Sequence, residues 1–256
     1  MGRSGRVWLS ALLLVLLLGS NLFYPAMISS FSSSVGNTGF EPWYYYIAGM
    51  VNSATGNLYY TVQDISFKAR GFEIEIVRTY NSHHNGTSTG FGFGWTFNYH
   101  FYLVQNGAIV SLVEGDGSVH NFTSIGGGRY SLPAGVHSQL IKNADGSFTL
   151  WFKDGSKYNF SSVGRVMNIV DKNGNHLTFS YTGGKLTRVE DDSGLAYRLN
   201  YNVQNRISSI VDPSGRQIRY EYDASDNLIK ATDSMGYFSL YFYDGAHNLK
   251  RVVNRF

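Results

Sequence analysis

The chain has 256 residues, 43% hydrophobic and 15% charged, with a formal net charge of +3. Arg3 and Arg6 supply two of those charges, so the rest is near +1 and carries no basic footprint for nucleic acid. With no cysteine, disulfides, zinc–thiolate sites, iron–sulfur clusters and thiol nucleophiles are excluded. An aromatic share of 16%, with 29 Gly and only 4 Pro, favours strands joined by tight turns.

In chain order, residues 1–28 read as an export signal. Arg3 and Arg6 precede the aliphatic run Leu9–Leu18, which Gly19, Ser20 and Asn21 interrupt. A run of about ten apolar residues falls short of the roughly twenty that span a bilayer. The alternative is an uncleaved anchor, a hydrophobic helix from Val7 to Ile28 with its positive end in the cytoplasm. Either way the expected location is secreted or cell-surface, with membrane contact confined to this segment. Residues 29–39 read as a flexible linker.

Residues 40–162 read as a β domain. Phe72 to Tyr80 alternates, with Phe72, Ile74 and Ile76 on one face and Glu73, Glu75 and Val77 on the other. Asn106-Gly107, Asp116-Gly117, Asp145-Gly146 and Asp154-Gly155 sit between aromatic or β-branched runs and supply the positive φ angles of hairpin turns.

From residue 163 the chain repeats itself. The units run Gly164–Tyr181, Gly184–Tyr201, Asn205–Tyr222 and Asp226–Tyr243, and a fifth begins at His247 and stops partway. The closing tyrosines, Tyr181, Tyr201, Tyr222 and Tyr243, are expected in the repeat core. Asp171, Asp191, Asp212 and Asp233 mark the turns, each followed three residues later by Gly174, Gly194, Gly215 or Gly236. Asp accepts bonds from backbone N–H groups just ahead of it, and Gly takes the left-handed position that closes the turn. Before each turn the apolar residues stand three apart (Val166 and Ile169, Leu186 and Val189, Ile207 and Ile210, Leu228 and Ala231). Too few residues remain for a helix, so the spacing indicates a strand with a bulge.

This pattern resembles the YD repeat of Rhs proteins, teneurins and insecticidal toxin-complex shells. The stretches 51–67 (VNSATGNLYYTVQDISF), 78–82 (RTYNS) and 90–99 (GFGFGWTFNY) are similar to the domain that precedes the repeats in Rhs-type polymorphic toxins. The resemblance implies an all-β fold of antiparallel hairpin repeats in an extended, curved sheet, part of a shell. It also implies a noncatalytic, exported scaffold whose partners are further repeat segments or a C-terminal effector. Neither the family's self-cleaving aspartyl motif nor a toxin domain is found in these 256 residues.

The remaining candidates are weak. Gly86-Thr-Ser88-Thr-Gly90 matches a nucleophile-elbow pattern but lacks the helix that must follow. His83 and His84, with His100, His120 and His137, show no paired metal-ligand spacing. Glu73 and Glu75 on one strand, and Glu114 and Asp116 at a turn, read as solvated groups rather than a glycosidase pair. Calcium at the repeat aspartates lacks a distal acidic ligand. Asn85, Asn121 and Asn159 begin glycosylation sequons. Among the aromatics, Trp43, Tyr44–Tyr46, Trp95 and Trp151 are candidates for stacking on a glycan, Trp43 and Trp95 above all, which would make the chain a carbohydrate- or protein-binding adhesin. Core packing competes with that reading. No cofactor or metal is expected.

Overall fold

A computed structural model of the chain describes residues 46–47, 51–52, 55–68, 72–132 and 138–255. The export segment, its hydrophobic helix, the linker and Trp43 lie outside these residues.

Two very short strands, β1 (Tyr46–Ile47) and β2 (Val51–Asn52), pair with each other. They are followed by β3 (Tyr59–Lys68), β4 (Glu73–Asn81), β5 (Ser88–Thr89), β6 (Gly92–Phe93) and β7 (Trp95–Phe97). β3, β4 and β7 form a three-stranded antiparallel sheet, while β5 and β6 pair apart from it.

The rest is one sixteen-stranded meander in which every strand pairs with its neighbours in sequence. Its first half comprises β8 (Tyr102–Asn106), β9 (Ile109–Val113), β10 (Val119–Gly126), β11 (Arg129–Ser131), β12 (Gln139–Lys142), β13 (Phe148–Trp151) and β14 (Lys157–Phe160). The second half comprises β15 (Val166–Val170), β16 (His176–Thr182), β17 (Lys185–Asp191), β18 (Ala196–Tyr201), β19 (Ile207–Val211), β20 (Gln217–Tyr222), β21 (Leu228–Thr232), β22 (Phe238–Tyr243) and β23 (Leu249–Arg255). The sheet crosses residue 162 without a break.

The two halves bury their inner faces differently. The first half rolls on itself. Leu103 N–H donates to the Gly164 carbonyl at 2.8 Å, Tyr102 lies opposite Arg165, and Lys142 Nζ reaches Gln105 Oε1 at 2.9 Å. Phe101, Leu112, Phe122, Leu140, Phe148 and Phe160 fill the interior of this roll. A side chain at Gly164 would strike the Leu103 carbonyl, so only glycine lets β8 approach this turn. The second half is covered by the three-stranded sheet and the β5–β6 turn: Phe67 and Trp95 of the sheet and Phe91 of the turn meet Tyr197, Tyr241 and Tyr220 with ring centroids 5.0, 5.1 and 4.9 Å apart.

The bulges expected from the apolar spacing are present. Tyr201 pairs with Ile207 while Asn200 pairs with Ser209, so one residue is extra. The same shift occurs at Tyr181, Tyr222 and Tyr243. The extra residue lets two positions three apart face one side: Ile207 and Ile210 are both fully buried.

The turns behave as their sequence requires. Asp191 Oδ1 accepts the N–H groups of Ser193 (3.0 Å) and Leu195 (2.9 Å), and Asp171, Asp212 and Asp233 do the same two and four residues ahead. Gly174, Gly194, Gly215 and Gly236 have φ between +83° and +91°. The closing tyrosines sit at the rim of the core, half-buried, rather than at its centre. Tyr201, Tyr222 and Tyr243 each donate their hydroxyl to the carbonyl fifteen residues earlier, those of Leu186, Ile207 and Leu228, at 2.7–2.8 Å. Phe179, Leu199, Tyr220 and Tyr241, two residues before each, hold the deeper positions.

Candidate functional site

The most elaborate chemistry in the molecule lies where the three-stranded sheet meets the repeats. β3 carries a bulge of its own. Gln63 pairs with Val77 and Ile65 with Ile76, which leaves Asp64 as the extra residue. A bulge re-aims the side chain it carries, and the Asp64 carboxylate turns onto Arg78 of β4. Arg78 is fully buried; it donates from Nε to Asp64 Oδ2 at 2.5 Å and from Nη2 to Oδ1 at 2.7 Å, a two-pronged pair.

Both partners also reach the repeats. Tyr220 donates its hydroxyl to Asp64 Oδ2 at 2.6 Å, and Arg78 Nη2 donates to the Tyr241 hydroxyl oxygen at 3.1 Å. The guanidinium carbon lies 4.9 Å from the Trp95 ring centre, 5.2 Å from Tyr220, 5.5 Å from Tyr241 and 5.7 Å from Phe91. Nη1 has no acceptor among the described residues, and the faces of this aromatic box take that role. Burial, the largest single influence, opposes the charge on Arg78, but the Asp64 carboxylate together with Tyr241 and Tyr220 raises the arginine pKa above its ordinary value. Burial, then Asp64, holds the Tyr220 hydroxyl protonated.

The neighbouring motif residues extend the joint. Tyr80 donates to the His247 carbonyl at 2.9 Å and accepts from Leu249 N–H at 3.0 Å. Trp95 Nε1 donates to the Tyr243 hydroxyl oxygen at 2.7 Å. Ile207 N–H donates to the Gly90 carbonyl at 2.7 Å, and Arg206 Nη1 donates to the Thr89 carbonyl at 2.9 Å. Phe93 stacks on the His247 ring at 3.9 Å. Gly92, at φ +85°, passes so close to the Asp226 carbonyl that no side chain fits. The RTYNS and GFGFGWTFNY stretches are therefore docking surfaces, a role that no repeat arithmetic assigns. The clue in the sequence is an arginine in the middle of a strand of otherwise core-forming spacing.

A second buried charge sits at the β9–β10 turn. Glu114 lies 3.4 Å from His120 Nε2, beside Tyr99 and Tyr158, and burial pushes its carboxyl up to about 7 despite the pull of His120. The turn is tied to the three-stranded sheet by Thr96, which donates to the Gly115 carbonyl, and by Asn81, which donates to that of Asp116.

The structure corrects several sequence expectations. Trp95 is fully enclosed by Tyr60, Tyr80, Tyr241 and Arg78, so it offers no face to a glycan. Glu75 is buried rather than solvated, because Asn98 and Tyr99 fold over it; Gln63 donates to it at 2.7 Å. Trp151 is exposed, with Lys157 over its ring at 5.1 Å. Ser88 stands in a strand–turn–strand, β5 to β6, without the helix of a nucleophile elbow. His83 and His84 form a 3-10 turn. No group of three or more potential metal ligands occurs among the described residues. The repeat aspartates spend their Oδ1 atoms on the turn backbone. Asn85 Nδ2 donates to the Ala246 carbonyl and Asn159 Nδ2 to Asn168, whereas Asn121 is exposed.

Two family models match the chain: a domain of unknown function, DUF6531, over residues 48–122, and RHS Repeat over residues 201–237. The tRNA nuclease WapA of Bacillus subtilis (strain 168) is 30% identical over 135 residues, 52% of this chain. The tRNA3(Ser)-specific nuclease WapA of Bacillus spizizenii (strain DSM 15029 / JCM 12233 / NBRC 101239 / NRRL B-23049 / TU-B-10) is likewise 30% identical over 135 residues. The chain spans only 6% of the length of these relatives. Among solved structures, the N-terminal domain of effector protein SpvB from Salmonella typhimurium strain LT2 is 12% identical, with a TM-score of 0.44, and the match covers 77% of this chain and 98% of that one.

Proposed function

The chain is an Rhs/YD-repeat protein, and from that premise we propose that it is an exported, noncatalytic scaffold segment. In this reading the three-stranded sheet closes the inner face of the repeats and fixes the start of a longer wall that encloses or presents an effector. The observation that carries it is the Asp64–Arg78 pair, bonded at once to Tyr220 and Tyr241 of two successive units. A buried ion pair bonded to both sides of the joint favours one arrangement of the two sheets. The turn carboxylates support the same reading, since backbone N–H groups occupy them. The relatives' nuclease activity belongs to proteins of which this chain matches a small part, so we assign it to their other regions.

The test uses the purified chain. It is incubated with total tRNA beside a mock preparation, and its protease resistance is compared with that of Arg78→Gln. The scaffold reading expects intact tRNA, and a resistant core that Arg78→Gln opens. Cleavage that copurifies with the chain through two separations overturns the noncatalytic assignment. Unchanged resistance in Arg78→Gln overturns the role given to the joint.

A further inference from the structure

The turns that join one repeat unit to the next carry a second ladder, made by side chains. In each, a residue in the left-handed conformation is followed by a polar one: Gly184-Lys185, Asn205-Arg206, Asp226-Asn227 and His247-Asn248. The polar residue of one turn bonds the left-handed residue of the next. Lys185 Nζ donates to Asn205 Oδ1, Arg206 Nη2 pairs with Asp226 Oδ2, and His247 Nδ1 meets Asn227 Oδ1, all at 2.7 Å.

Arg165 holds the same position one turn earlier, after Gly164. Its partner position is Gly184, at φ +81°, which has no side chain. A Cβ placed there would stand 3.0 Å from Arg165 Nη2, so the arginine already reaches the rung that is missing. The exposed Arg165 makes no ion pair with any described carboxylate. Two turns along, the equivalent Arg206 shows what this position takes: a carboxylate.

The missing rung opens into a cavity of about 630 Å³, lined by Arg165, Lys185, His100, Tyr102, Tyr181 and Tyr201 among others, with no Asp or Glu. Arg165 lies over the Tyr181 ring at 5.7 Å and Lys185 over Tyr201 at 5.1 Å. Burial pushes the Tyr181 hydroxyl up to about 12 and keeps it a hydrogen-bond donor; burial also lowers the His100 pKa and keeps that ring neutral. A cleft of a few hundred Å³ with converging polar groups suits a small ligand.

We propose that this cavity binds a small organic carboxylate of sugar-acid size, whose carboxylate completes the ladder on Arg165 while its body lies against the tyrosines. A bidentate pair with arginine sets the orientation.

The test is calorimetric titration of the full chain with glucuronate, with glucose, and with N-acetyl-glutamate at constant ionic strength. Glucuronate is expected to bind saturably and at least tenfold more tightly than glucose. Arg165→Gln, at an exposed position, is expected to weaken binding at least tenfold. Gly184→Asp supplies the carboxylate from the chain itself; Asp226 already adopts φ +64° at the equivalent place, and the nearest obstacle is the flexible end of Arg165. It should block binding to the same extent while raising the melting temperature. The N-acetyl-glutamate arm tells an acidic sugar from an acidic side chain: the tighter of the two identifies the source. No saturable binding of either carboxylate, equal affinity for glucose, or unchanged affinity in Arg165→Gln or Gly184→Asp each overturns the proposal.

Discussion

In the repeats, each bond recurs. A turn carboxylate accepts two N–H groups, a tyrosine hydroxyl reaches back fifteen residues, and a bulge turns two apolar residues inward, unit after unit. In β3, β4 and β7 the holding interactions occur once: one aspartate on a bulge, one arginine, one tryptophan. Stability in a repeat array is close to a sum of similar local terms, so losing one term leaves the others in place. The joint concentrates its free energy in a charge that has been taken out of water. The same β architecture thus carries two kinds of risk, distributed along the repeats and focused at Arg78.

The strongest way to break this comparison is to remove the focus. Arg78→Ala strands the Asp64 carboxylate beside Tyr220, and breaking a buried pair from one side costs about 3–5 kcal/mol. Urea unfolding at pH 7 is expected to show that loss, and the release of Trp95 from its box should appear in the same transition by fluorescence. Replacing both partners, Arg78→Met with Asp64→Leu, removes the stranded charge and should recover most of the loss. If the double variant is as unstable as the single, the cost comes from packing and not from an uncompensated charge.

Legibility in the sequence divides along the same line. The repeat turns are readable because their chemistry is local: Asp191 and the N–H groups it accepts lie within four residues. The bulge is readable from Ile207 and Ile210 three apart. The joint is not, because Tyr220 meets Asp64 across 156 positions and Tyr241 meets Arg78 across 163. No pattern in a single strand announces such a partner. Glu75 shows the converse error: alternation places it opposite Ile74 and Ile76, but a second layer covers that face too. Trp95, a candidate for display by its type, is enclosed for the same reason.

Proton concentration acts from opposite sides on a repeat turn and on the β9–β10 turn that is tied to the three-stranded sheet. Glu114 in the folded chain titrates near 7, against an ordinary value of 4.5, because burial penalises its charge. The folded state therefore holds that proton more tightly than the unfolded one. Its contribution is full below about pH 4.5 and is lost as pH rises through 7, an effect on the order of 3 kcal/mol by pH 8. Glu114→Gln should flatten this slope and leave the variant more stable than the parent at pH 8 in urea titrations. Asp171, at a repeat turn, has the reverse sign. Burial works against the charge on Asp171, yet the bonds from Asn175 and Asn173 hold its carboxyl below the usual range. Its contribution is present above about pH 3.8 and fades as pH falls further. A stability profile that declines toward pH 8 but not below pH 4 would contradict the turn half of this argument.

Within the repeats, Asp212→Ala tests how far one turn can be spared. Two N–H groups, those of Ser214 and Arg216, lose their acceptor at a position where Asp212 is buried. The expected cost is about 1–3 kcal/mol in urea unfolding, with the other turns protected as before in hydrogen exchange.

The smallest effect discriminates most finely, because two equivalent tyrosines differ in the contact their hydroxyls make with the joint. Tyr201 donates to the Leu186 carbonyl alone, at 2.8 Å. Tyr222 makes the matching bond to Ile207 at 2.7 Å and also lies 3.3 Å from the Gly90 carbonyl, on the far side of the joint. Phenylalanine at either site keeps the ring and removes the hydroxyl, and a single such bond is worth about 0.5–1.5 kcal/mol. Tyr201→Phe should fall at the low end of that range and Tyr222→Phe at the high end. In the background of Arg78→Ala, where the three-stranded sheet is already loosened, the Tyr222→Phe cost should drop to that of Tyr201→Phe. Equal costs for the two tyrosines in the parent chain would mean that the repeat holds itself, with the joint adding nothing to its units.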